Sequence, residues 1–252
     1  MLQPAAAAKQ DPTAPQDAAS RRLRPLAAFS GSLGQRVYQT LRQSILSLDY
    51  RPGEILRKPE VCAARGVSRS PVADAVARLQ AEGLVDVIPQ AGTFVARFSM
   101  QEIREGAFLR EAIEVAAIAH VAARITDDQL QLLRRNLTVQ AALVADGDIP
   151  GFYGMDAAMH ELLLSFTGFP KLALVAETAW LHVNRARQLI LPVPGRVMAT
   201  LAEHQAILQA LEARDPDAAR GAVQVHLRQL LTYLEPLERD RPELFSPDRG
   251  PA

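Results

Sequence analysis

The apolar residues of this chain change their spacing once, near residue 99, and that change constrains the fold more than any other feature. Before it the segments are short. Val37, Leu41, Ile45 and Leu48 recur at helical spacing and predict an amphipathic helix over about 33–49. Pro52 and Gly53 end it, since both punctuate strongly. A short helix over about 59–65 stops at Gly66, a natural C-cap. Ser68 is placed to N-cap the next helix, with Pro71 tolerated in its first turn. That helix turns Val72, Val76 and Leu79 inward and ends near Gly83. Two β-like runs, Leu84–Ile88 and Thr93–Ala96, then flank Pro89, Gln90, Ala91 and Gly92. After Met100 only long helices are expected, over about 100–124, 126–146, 149–167, 170–190, 195–213 and 215–239, with Thr126 and Asp215 as N-caps. The fold class is mainly α: an N-terminal winged helix-turn-helix over 31–98, then an all-α helical bundle over 99–240.

Composition narrows the setting. With 48% apolar and 22% charged residues the chain suits a globular protein with a substantial core. The single cysteine, Cys62, excludes an internal disulfide and a cysteine-rich zinc site, so a reducing, cytoplasmic location is expected. No apolar run approaches the roughly 20 residues that span a membrane. Residues 1–30 are rich in Ala, Pro and Gln and lack the apolar core of a targeting peptide. They read as an unstructured tail, with phosphate contacts from Arg21, Arg22 and Arg24 as the other reading. Residues 241–252 read as a frayed end.

The formal net charge of zero conceals an asymmetry. Residues 1–98 hold 13 Lys and Arg against 8 Asp and Glu, whereas residues 99–252 hold 15 against 20. A basic front half points to a nucleic-acid partner for that half alone. Ser68, Arg69 and Ser70 sit at the N-terminal end of the third helix, where a recognition helix meets base edges. Arg69 is able to contact guanine through a two-pronged hydrogen bond. Gln90, Gly92 and Thr93 are expected at the wing tip, while Arg57, Lys58 and Arg78 suit phosphate contacts, which position rather than specify. The plainer alternative makes all of these solvated surface residues.

The run from Gly66 to Val72, the stretch Ala77–Val85, and Gly92-Thr-Phe-Val95 resemble the DNA-binding domain of the GntR family of bacterial regulators. Leu41-Arg-Gln-Ser-Ile45 and Arg51-Pro-Gly-Glu54 fit the same pattern in order. The resemblance implies a transcription regulator, mostly a repressor in this family, that binds double-stranded operator DNA as a homodimer. Ala73 stands where the family usually has a second arginine, and Pro59 near where it has a basic residue, so an operator unlike the family's usual one is implied.

The second half holds all five histidines. Asp156 and His160 are four apart and share one helix face. His204 and His226 lie on the last two long helices, flanked by apolar residues at core spacing. One carboxylate with three imidazoles suits zinc or nickel with open positions, although a histidine on such a face is often a satisfied core residue. Leu109–Glu114, Asp156–His160, Glu203-His204 and Asp215–Ala219 leading to His226-Leu227 resemble the FCD ligand-binding domain of the FadR subfamily. The resemblance implies that Asp156, His160, His204 and His226 ligate a divalent metal, zinc first, with nickel or manganese as alternatives. It further implies that Arg110 grips a small organic or sugar acid.

Asn184 and Arg185 are added as effector-binding candidates. Of Arg185 and Arg187 one is expected to face the pocket and the other solvent, and Trp180, His120 and His182 are read as structural. A purely structural metal and a metal-dependent hydrolase are the competing readings. Glu161 and Glu203, the nearby carboxylates, are expected to point outward and leave a hydrolase without a general base.

Overall fold

The computed structural model describes residues 22–247, which divide between Arg97 and Phe98 into two units. In the first unit, α1 (Leu33–Leu46) is capped by Ser32, whose hydroxyl accepts from the Gln35 amide at 3.3 Å. Its apolar stripe buries Val37, Leu41 and Ile45. Leu48 falls outside the helix, in a turn with φ 62°, and Tyr50 takes the next core position. The second helix, α2 (Lys58–Arg65), ends at Gly66, which adopts the left-handed backbone (φ 62°) that glycine accepts without a Cβ penalty. Ser68 then occupies the N-cap of α3 (Arg69–Ala81) with extended backbone, but its side chain makes no capping bond.

Val72, Val76 and Leu79 of α3 pack into the same core as the α1 stripe. Three further contacts fix the angle between these helices. Tyr38 and Arg42 of α1 both donate to Glu82 at the end of α3, and Arg78 lies 3.7 Å over the Tyr38 ring. Burial and the bond to Glu82 push the Tyr38 hydroxyl up to about 12, so it stays a donor. The wing is an antiparallel pair, β1 (Val85–Ile88) and β2 (Gly92–Val95), registered Val85 to Val95 and Ile88 to Gly92. Ile55 bridges to Phe94 on its outer side.

Residues 22–24 belong to this unit rather than to an unstructured tail. Leu23 is buried, the Ser44 hydroxyl donates to the Arg22 carbonyl at 2.6 Å, and the Thr40 hydroxyl to the Arg24 carbonyl at 2.8 Å. Arg65 donates to the Leu23 carbonyl and Arg22 pairs with Glu54. Leu26–Ala28 add a short 3-10 turn, while tail positions 1–21 lie outside the described residues.

The second unit contains seven helices among the described residues: α4 (Met100–Ala122), α5 (Asp127–Asp146), α6 (Ile149–Ser165), α7 (Pro170–Ala179), α8 (Leu181–Ile190), α9 (Arg196–Glu212) and α10 (Pro216–Asp240). Ser99, Thr126, Asp148 and Asp215 cap four of them through their side chains, and Thr126 forms a full capping box with Gln129. One core joins Ile118 and Val121 of α4, Leu133 and Leu137 of α5, Met159 and Leu163 of α6, Ile207 and Leu211 of α9, and Val223 of α10.

The expected single helix over 170–190 is two, since the Trp180 backbone (φ −100°, ψ 5°) leaves the helical region between α7 and α8. At that junction the Ala179 carbonyl bears on Gly106 of α4, where a Cβ would sit 2.9 Å away. The expected frayed end is ordered over 241–247, and positions 248–252 lie outside the described residues. Phe245 is buried against Phe98 at 5.8 Å between ring centroids, and the strand-like pairing donates from Phe98 to Leu244 and from Ser246 to Phe98. An apolar ring five residues past the end of α10 outweighs the proline-rich composition there.

Candidate metal centre and DNA-binding face

One turn of α6 separates Asp156 from His160, so both reach the same side of the helix. His204 arrives from α9 and His226 from α10. All four are buried, and one ligand atom from each lies within 4.8 Å of the others, a cluster able to hold a metal ion.

The hydrogen bonds behind the rings determine what faces the centre. Each Nδ1 is opposite an oxygen: Glu114 Oε2 at 2.6 Å from His160, Gln140 Oε1 at 2.8 Å from His204, and Glu203 Oε2 at 2.8 Å from His226. The amide of Gln140 is itself oriented. Its nitrogen donates to Asn136 Oδ1 at 2.6 Å, while the Asn136 nitrogen donates to the Met155 carbonyl at 3.0 Å. Every neutral ring therefore spends its single N–H outward and presents a bare Nε2 lone pair inward. The Nε2 atoms of His160 and His204 lie 3.2 and 3.4 Å from that of His226. Asp156 Oδ1 is 3.3 Å from the His160 Nε2 and is a buried oxygen without a hydrogen-bond partner. Four lone pairs converging without a proton between them repel, and a cation resolves the conflict, so the residues fit a metal.

Charge states agree with this arrangement. Burial and then the neighbouring imidazole of His226 push His204 well below its usual range; burial and then His160 do the same to His226. Burial alone would raise the Asp156 carboxyl, but the Arg187 guanidinium beside it holds it well below the usual range. Burial likewise opposes ionisation of Glu114, and Arg110 with His160 overrules it.

Beside the cluster is a narrow cavity of about 20 Å³ for the centres of water-sized spheres, lined by Arg110, Arg187, Arg196 and Thr200 together with Asp156 and His226. That is room for one or two waters. Each lining arginine is paired: Arg110 Nε with Glu114 at 2.5 Å, Arg187 with Asp156, and Arg196 with Glu203 through two bonds of 2.5 and 2.7 Å.

Of the effector candidates read from sequence, only Arg110 lines this cavity. Arg185 is fully buried with its guanidinium 4.5 Å over the Phe98 ring, and the Asn184 backbone carbonyl accepts from Tyr153 at 2.6 Å. Neither Arg185 nor Arg187 is solvated, because α8 packs on both sides. Glu203 points inward to His226, not outward, whereas Glu161 is exposed as expected. Trp180 is buried, with Arg110 at 5.1 Å over its ring; His120 packs on Phe169, and His182 faces Glu102 at 3.6 Å. Of the Arg185 and Arg187 pair, it is Arg187 that lines the cavity. Arg196 and Gln140 carried no reading in the sequence, and Glu203 carried the wrong one. The usable signals were the i, i+4 pairs Arg110/Glu114 and Asn136/Gln140 and the i, i+7 pair Arg196/Glu203, which place polar groups on otherwise apolar faces.

In the first unit, Ser68, Arg69 and Ser70 are exposed at the start of α3. Arg57, Lys58, Gln90, Gly92 and Thr93 line one groove between α2 and the wing. Gln90 is exposed at the tip with φ 62°, and Arg78 is exposed but stacked on Tyr38. Thr93 is at the wing as expected, but its side chain is not open. It is buried, because at β2 it takes the inward half of the strand alternation, and its carbonyl accepts from Leu56 at 2.8 Å.

These two units define a winged-helix DNA-binding protein with an all-helical companion domain. The model for gntR-family bacterial regulatory proteins matches residues 33–95, and that for the FCD domain matches residues 105–229. A transcriptional regulator of the HTH type from an unstable DNA locus of Streptomyces ambofaciens is 34% identical over 88% of this chain and 94% of its own length. The HTH-type transcriptional repressor RspR of Escherichia coli is 30% identical over 85% of this chain and 94% of its own. The solved structure of E. coli McbR/YncC covers 82% of this chain and 99% of its own with a TM-score of 0.71; at 20% identity it shows the fold alone. The chain belongs to the GntR family of transcription regulators, in the FadR-like branch that carries an FCD domain, and is not an enzyme. Among the described residues no helix is long and apolar enough to cross a membrane.

Proposed function

We propose that this protein is a repressor that binds a two-fold operator as a homodimer and releases or grips it in response to a small carboxylate held beside a metal ion. The observation that carries the proposal is the juxtaposition of four convergent lone pairs with a cavity lined by three arginines. Asp156, His160, His204 and His226 would hold the metal, zinc by the nitrogen-rich donor set, with nickel or manganese as alternatives. The bound ion would supply a Lewis-acidic anchor for an anionic oxygen, and Arg110, Arg187 and Arg196 would supply the matching hydrogen bonds. The cavity is too small for such an acid as it stands, so binding has to move at least one arginine from its carboxylate. That movement is the differential interaction that any population shift requires.

On the DNA side, Arg69 with Ser68 and Ser70 would read base edges while Arg57, Lys58 and Gln90 hold phosphates. A thermal-shift screen of small carboxylic acids, with and without zinc, tests the sensing reading. At least one acid raises the melting temperature only when zinc is present; if none does, sensing at this site is wrong. His204→Ala separates it from a purely structural metal. Loss of the acid response with operator binding intact supports sensing, and early melting without any acid effect in the wild type supports the structural role.

A further inference from the structure

Two of the three cavity arginines reach the cluster through a carboxylate, while Arg187 pairs with Asp156 itself. Arg196 grips Glu203, which accepts from His226; Arg110 grips Glu114, which accepts from His160. Two chains of the same composition, guanidinium to carboxylate to imidazole, thus run from the cavity wall to the metal position. Gln140 completes the set at His204 without an arginine behind it.

We infer that Glu114, Gln140 and Glu203 are positioning residues that fix the metal-binding tautomer of the three histidines, and that Arg110 and Arg196 set how strongly two of those histidines donate to the metal. The inference rests on the metal-centre reading above and adds a direction of regulation to it. A carboxylate shared between a guanidinium and an imidazole N–H gives the ring only part of its charge. When the guanidinium turns to another anion, the whole carboxylate charge falls on the N–H, and the ring becomes a more basic ligand. An anion in the cavity that draws Arg196 or Arg110 to itself therefore tightens the metal, and by reciprocity the metal tightens the anion.

Zinc affinity of the full chain, read by competition with a chromophoric chelator, tests this without knowing the effector. Glu203→Gln keeps the side-chain shape but weakens zinc binding about tenfold or more. Arg196→Gln tightens it about fivefold or more, because it mimics the guanidinium's departure. A merely structural role would weaken both, so any result in which the two variants fail to move apart overturns the inference. Nitrogen NMR of the zinc-loaded wild type gives a readout free of folding effects: His160, His204 and His226 each carry their proton on Nδ1, and an Nε2-protonated signal from any one overturns it. His204→Ala distinguishes the levels. If zinc affinity survives that change, the metal centre itself is wrong. If zinc is lost there while Glu203→Gln binds as wild type does, only the relay is.

Discussion

Arg69 is exposed at the first turn of α3, in the company of two small hydroxyls and, one turn on, the methyl of Ala73. With no second arginine on that turn, base readout concentrates in one side chain. Arg69→Ala is expected to cost about 1–3 kcal/mol of operator binding and to relax specificity at one base pair. An unchanged affinity in a gel-shift titration removes Arg69 from the interface. Arg78 contrasts with it: its guanidinium already lies on Tyr38, so its replacement acts on the α1–α3 packing as well as on any phosphate.

At the scale of elements, the junction at Trp180 organises the cavity, because it aims α8 so that Arg187 reaches Asp156. Gly106 makes the junction possible by leaving room for the Ala179 carbonyl and a Val183 methyl, each 2.9 Å from where a Cβ would stand. Gly106→Ala is therefore expected to destabilise the helical unit by about 1–3 kcal/mol, the usual cost of overpacking, despite alanine's better helix propensity. A melt at or above the wild-type temperature would show that the junction yields freely. The sequence left this break unmarked, since neither glycine nor proline stands at 180 and the steric cause lies 74 residues away in α4. Breaks with local chemistry, such as the Thr126 capping box and the left-handed Gly66, were legible. The same divide separates the site residues. The four metal-position residues share periodic faces and could be read, while Glu203 could not, because its inward turn depends on a histidine of another helix. The order of residues 22–24 was hidden for a similar reason: their anchors, Ser44, Arg65 and Thr40, are spread over two later helices.

For the whole molecule, burying two histidines in neutral form makes stability depend on pH. The folded His204 and His226 refuse protons that the unfolded chain accepts at its ordinary value of 6.5. The unfolded state thus gains on acidification, and metal-free protein loses stability as the pH falls below about 6.5. Asp156 and Glu114, ionised far below their ordinary 3.8 and 4.5, add a second loss once the pH drops through that range. Trp180, the single tryptophan and buried in the helical unit, reports the transition by fluorescence. A melting temperature flat from pH 7.5 to 5 would contradict the neutral, buried histidines.

The pairing of the cavity arginines also fixes what kind of guest the interior tolerates. Arg110, Arg187 and Arg196 are matched by Glu114, Asp156 and Glu203, so these six side chains together carry no net charge. A divalent ion seated among uncharged imidazoles brings two positive charges into a buried region with room for little water, and uncompensated charge there is costly. A doubly negative guest restores the balance in one step; a singly negative one leaves half of it. Among acids of equal size, those with two ionised groups should therefore bind the metal-loaded protein more tightly, and the order should collapse when the metal is stripped away.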